Sequence, residues 1–121
     1  MAFQLIAVKQ AKTFTLTAQT SPLSLSFDSA VTAGSSIVLA GTLIDATDQA
    51  ALVGTVSGGS ATWGSPTNTR AESAYLPNVA TAVGVNVSAG TPSFSVPVTV
   101  GGVAATNFRF TGVLLEIEKV P

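Results

Sequence analysis

The chain contains no cysteine and no histidine. The first absence excludes disulfides. The two together remove thiolate and imidazole metal ligands, the Ser-His-Asp and Cys-His nucleophile systems and the usual neutral-pH proton shuttle. Charge is scarce too: charged residues make up 9% of the 121, against about 25% in an ordinary soluble domain. Five Lys/Arg stand against six Asp/Glu, for a net charge of −1 and no basic run, so nothing here neutralises a string of phosphates and no nucleic-acid partner is expected. Long apolar runs are missing as well. Even Ser36–Ile44 is interrupted by Gly41 and Thr42, well short of the roughly 18 apolar residues of a membrane-spanning helix, and no membrane partner is expected. The start, Met1 to Gln10, has no basic region and a short apolar run broken by Lys9, so no secretory signal is expected and the chain is expected to be made and kept in the cytoplasm.

What is present is apolar and hydroxylic. Hydrophobic residues make up 46%, and 16 Thr and 13 Ser supply about a quarter of the chain. Uncharged hydroxyls wet the surface in place of ions, which leaves weak colloidal repulsion and a chain prone to associate. A length of 121 residues points to one domain over residues 1–121. Residues 1–10 are expected to form an N-terminal arm or an edge strand, pairing with the chain's own sheet or a neighbour's edge.

Apolar periodicity is two almost everywhere, as half-buried strands require. In Lys12–Ala18, Phe14, Leu16 and Ala18 alternate with Thr13, Thr15 and Thr17; in Leu23–Phe27, Leu23, Leu25 and Phe27 alternate with Ser24 and Ser26. With Gln19-Thr20-Ser21-Pro22 as the turn, this pair reads as a hairpin. Ser36–Ile44 reads as a strand buried on both faces, and the loop Asp45–Gln49 after it could hold one helical turn. Leu52–Val56 and Ala61–Trp63, joined through Ser57-Gly58-Gly59-Ser60, read as a second hairpin. Gly64–Asn68 is a surface loop and Arg70–Leu76 a short strand. Val83, Val85 and Val87 mark the next strand. Phe94, Val96, Val98 and Val100 mark another, in which Pro97 points to a sheet edge or a bulge. In Asn107–Val120, after Phe108 and Phe110, Val113, Leu115 and Ile117 face one way and Glu116 and Glu118 the other.

Eight to ten short strands with turn signals between them and no convincing helix define an all-β fold. The expectation is a two-sheet antiparallel sandwich with jelly-roll or Greek-key connections.

Three stretches carry a family resemblance: Ser26–Ala40, with its Ala33-Gly34 turn before a long apolar strand; Ala71-Glu72-Ser73-Ala74-Tyr75-Leu76-Pro77-Asn78-Val79; and Gly112-Val113-Leu114-Leu115-Glu116-Ile117. In that order they are similar to a family of phage-encoded and bacterial β-sandwich domains. Such domains occur in capsid decoration or cement proteins, in tail appendages and in carbohydrate-associated secreted proteins. This chain has Ala74 where the family usually places an aromatic before the tyrosine, which weakens an inherited sugar platform.

Candidate chemistry is sparse. Glu116 and Glu118 are two apart on one strand face, hence about 6.6–6.8 Å apart along the backbone, near the carboxylate separations of glycoside hydrolysis. Solvent-facing charges that discourage edge aggregation are the simpler reading, and the protein is read as not an enzyme. Asp45 and Asp48, with Asp28, offer hard oxygens without EF-hand spacing. They read as turn caps, so no metal or cofactor is expected. The Thr13/Thr15/Thr17 face invites an ice-binding reading, but one strand is no flat array. Trp63 and Tyr75 are the binding candidates, as a sugar platform, interface anchors or core.

The function these readings and the resemblance imply is a non-catalytic structural virion protein. In its most concrete form it is a capsid decoration or cement protein, assembled in the host cytoplasm, that binds the shell of major capsid protein. The alternative is a glycan-binding module of a tail or adhesion device. Charge deficit and a spare N-terminal strand suggest self-association into a closed cyclic assembly, a homotrimer first and a dimer second.

Overall fold

The computed structural model describes residues 5–47, 49–70 and 77–120. Among them there is no helix, and the chain forms eleven strands: β1 (Leu5–Gln19), β2 (Leu23–Leu25), β3 (Ser36–Asp45), β4 (Leu52–Val53), β5 (Thr62–Trp63), β6 (Thr67–Arg70), β7 (Asn78–Val85), β8 (Phe94–Val96), β9 (Val98–Val100), β10 (Val103–Ala104) and β11 (Phe108–Val120). The expected all-β antiparallel sandwich is the fold observed.

One layer is a six-stranded sheet in the order β1-β11-β3-β7-β5, with β6 also on β7. The other is smaller and assembled from two pieces, β10-β9-β4 and β2-β8, joined by the bridge Ser57↔Ser95. Apart from the consecutive pair β6 and β7, neighbours within the large sheet are distant in sequence, because the chain crosses between layers. Both hairpins read from the sequence dissolve for this reason: β1 pairs with β11 while β2 pairs with β8, and β4 pairs with β9 while β5 pairs with β7. A turn signal ends a strand without stating which layer the chain enters next.

Between the layers lies one core, in which Phe94, Phe108, Phe110, Leu23, Leu25, Ile37 and Leu43 are the largest apolar side chains. The large sheet contributes bulk from its middle strands. Two facing glycines make room for it. Gly41 and Gly112 are register partners, and a Cβ on either would come within 2.5 or 2.6 Å of the Phe110 ring. Gly84 does the same for Trp63, whose indole a Cβ there would meet at 2.7 Å.

Several facing assignments change. β3 is central, but its burial is complete on the inner face alone; Val38, Ala40 and Ile44 on the other face are half-buried. In β7 the inward residues are Asn78, Ala80, Ala82 and Gly84, and Val83 and Val85 point out. Val87, beyond the strand, is buried. In β11 the parity is set by Phe108, Phe110 and Leu114, all buried. A slip of one residue would expose all three, so Glu116 is carried inside with them and Val113, Leu115 and Ile117 take the outer face, the reverse of the assignment read from the sequence.

Pro97 lies at a break inside a strand flanked on both sides, not on an edge. The Gly54 amide donates to its carbonyl, and the Ser21 hydroxyl accepts from the Val98 amide at 2.9 Å. After β3, Asp45 accepts hydrogen bonds from the Thr47 and Gln49 amides, a capped turn in place of the helical turn. Thr67 and Asn68, read as loop, begin β6; of the strand expected over Arg70–Leu76, positions 71–76 lie outside the described residues. Residues 5–10 belong to β1, the edge strand of the chain's own sheet.

Candidate functional site on the outer face of the large sheet

Register builds a site that no single strand contains. Across the outer face one row reads Thr15, Thr111, Thr42, Val79, Thr69. The next reads Thr13, Val113, Ala40, Thr81, Thr67. A third reads Ala11, Leu115, Val38, Val83, and beyond it lie Val8, Ile117, Ser36, Val85 and Thr62. Threonine dominates the first two rows and aliphatic residues the last two, where Ser36 and Thr62 stand among them. Val79, Val83 and Val85 are 49%, 46% and 41% exposed and Val8 59%. From Thr111 to Ile117 on β11, and across its neighbours, no described side chain on this face is charged. At about 4.8 Å between strands and about 6.7 Å between rows, the four rows cover roughly 400 Å², hydroxyl-bearing and aliphatic residues together.

The candidate acids go elsewhere. Glu116 is 0% exposed. Its Oε1 accepts from Gln10 Nε2 and its Oε2 from the Thr32 amide, both at 2.8 Å. Burial raises its pKa, but the Thr32 amide, the Gln10 and Ser35 side chains and the Lys9 charge lower it more, and the net shift is downward. Ser35 Oγ, itself buried, lies outside regular hydrogen-bond geometry, so the Thr32 and Gln10 bonds carry the effect. A carboxylate held ionised by donors is a poor general acid. Glu118 instead pairs with Lys9 at 3.5 Å, so the two glutamates do not face a common substrate space. Lys9 Nζ also reaches Thr32 Oγ1.

Asp28 accepts from Lys12 at 2.7 Å and Asp45 caps its own loop; Asp48 lies outside the described residues. Among the described residues no cluster of three or more His, Cys, Asp or Glu could hold a metal. An open cleft of about 310 Å³ lies between the Asp45 loop and the Val103 hairpin, and its titratable residue is the already committed Asp45.

Trp63 sits on the short edge strand β5, half-buried. Its ring meets Phe94 edge-on at 5.6 Å, and its Nε1 donates to the Gly58 carbonyl. Tyr75 lies outside the described residues. The face itself was hidden in the sequence, although one signal pointed to it: in β7 the small residues Ala80, Ala82 and Gly84 alternate with Val79, Thr81, Val83 and Val85, and small residues suit the side on which large rings such as Trp63 pack.

Set against protein-family models, curated proteins and solved structures, the chain matches none.

Proposed function

We propose that the protein is a non-catalytic structural virion subunit, a capsid decoration or cement protein that docks on the shell of major capsid protein through the outer face of its large sheet. The observation that carries this reading is the charge-free face of Thr13, Thr111, Val113, Leu115, Val83 and Val85, left uncovered by the chain's own second layer. Desolvating such a face takes no ion out of water, whereas a charged face would have to find partners for each ion it buries. The absence of His and Cys and the engagement of Glu116, Glu118 and Asp45 within the fold support a binding rather than a chemical role. The resemblance of Ser26–Ala40 and Gly112–Ile117 to phage β-sandwich domains supplies the setting.

Purified protein added to shells that lack it is expected to bind and to raise their resistance to heat or pressure, since a ligand bound only to the assembled state stabilises it by mass action. Placing a charge in the face, Val83→Lys, is expected to abolish binding with the fold retained. Shells that are neither bound nor strengthened would remove the decoration role.

A further inference from the structure

The two edges of the large sheet are built differently. One is made of β5 and β6, of 2 and 4 residues, the short edges by which sheets avoid pairing with other chains. The other is β1, 15 residues long, whose described neighbour is β11 alone. Irregularities between Val8 and Gln10 and between Leu16 and Gln19 interrupt its register with β11. They leave Gln10–Leu16 as a regular run with its far side open, and the centre of that run is Thr13.

Lysines on an edge normally keep other strands away. Here they are turned inward to the molecule: Lys12 pairs with Asp28 and lies over the Phe14 ring at 5.3 Å, and Lys9 is held by Glu118 and Thr32. Outward along the run stand Ala11, Thr13 and Thr15, uncharged and β-compatible.

We propose that this edge pairs antiparallel with the same edge of a second copy of the chain, with Thr13 on the twofold axis. Directly opposed residues in an antiparallel pair lie on the same face, which allows alignments centred on Lys12, Thr13 or Phe14. Centring on Lys12 sets like charges against each other. Centring on Phe14 pushes Gln10 against the partner's irregular segment at 17–18. Centring on Thr13 matches the whole run to itself, sets Ala11 against Thr15 and Lys12 against Phe14, and continues the Thr13 row from one copy into the next. Pairing of like edges closes at two copies, so the expected assembly is an isologous dimer rather than a cyclic trimer. It leaves the outer face free and does not depend on the decoration reading.

Equilibrium sedimentation of the full chain through the micromolar range tests this. Wild type is expected to rise to twice the 12.1 kDa chain mass. T13K and T13E, each placing like charges across the axis at an exposed position, are expected to stay at one chain mass, and their equimolar mixture to recover the dimer. Because the chain has no cysteine, T13C provides a second test. Opposed Cα atoms about 4.5–5.5 Å apart are within disulfide reach, so mild oxidation should cross-link T13C into dimers and leave T15C, which faces Ala11, uncross-linked. A wild type that stays at one chain mass, a trimer mass, a T13K dimer, or cross-linking of T15C in preference to T13C would each overturn the proposal. Shell binding by T13K, scored separately, reports on the decoration reading alone.

Discussion

The carboxylate of Glu116, at the far end of the chain from β1, accepts the backbone amide of Thr32 at 2.8 Å in a site closed to solvent. With Gln10 on the other oxygen, it ties β11, β1 and the loop before β3 together. Replacing it by glutamine sets an amide N–H₂ against one of two donors, and turning Gln10 to compensate would give up its bonds to the Ser29 and Ala30 carbonyls. E116Q is therefore expected to lower stability at pH 7 by about 1–3 kcal/mol, read from urea midpoints.

The same group sets an acid dependence. Its folded pKa lies below the ordinary 4.5, so as pH falls the unfolded chain takes up the proton first. The stability Glu116 contributes is present above about pH 4.5 and is lost as pH drops through the folded value. Wild-type and E116Q unfolding curves should converge below pH 4.5; a gap that stays constant down to acid would show that ionisation of Glu116 does not matter.

Gly112 is a packing glycine. A Cβ there would stand 2.4 Å from the Ala40 carbonyl oxygen and 2.6 Å from the Phe110 ring, backbone on one side and core on the other. G112A is expected to cost about 2–3 kcal/mol. At the β9–β10 turn, Gly102 has φ +79 and open space around it, so G102A should cost only the left-handed backbone penalty of about 1 kcal/mol. Thermal unfolding of the two variants should rank them in that order.

Asn68 stands in for a strand. Its side chain accepts from the Val53 amide and donates to the Val53 carbonyl, both at 2.9 Å, joining β6 to β4 across the layers. N68A should cost about 1–2 kcal/mol and selectively speed hydrogen exchange at the Val53 amide; unchanged protection there would mean water replaces the side chain.

Trp63 is a built-in probe of the glycan alternative. Titration with a panel of host-surface polysaccharides is expected to leave its fluorescence unchanged, because the ring packs on Phe94 and its N–H is taken. W63A is expected to destabilise by about 2–4 kcal/mol, so loss of any activity in that variant must be checked against unfolding. A glycan-dependent shift in wild type would reopen the sugar reading.

Strand content and the antiparallel sandwich followed from alternation, turn residues and composition alone, because these are local or additive properties of the chain. Phe14, Leu16, Leu23, Leu25 and Phe27 were legible as inward for the same reason: bulky apolar residues alternate there with Thr and Ser. Pairing was not legible. Whether Leu23–Leu25 turns back on β1 or crosses to β8, and whether Trp63 pairs with β4 or β7, depends on which distant strands share a layer. Facing failed where both parities are apolar or mixed. In β11 the buried Phe108, Phe110 and Leu114 outweigh the burial of one carboxylate, and in β7 the inward set is small, with the Trp63 ring of the neighbouring strand lying over Gly84. A strand's two-residue period divides its side chains into two sets, and the volume left by the facing layer selects the set that goes inside.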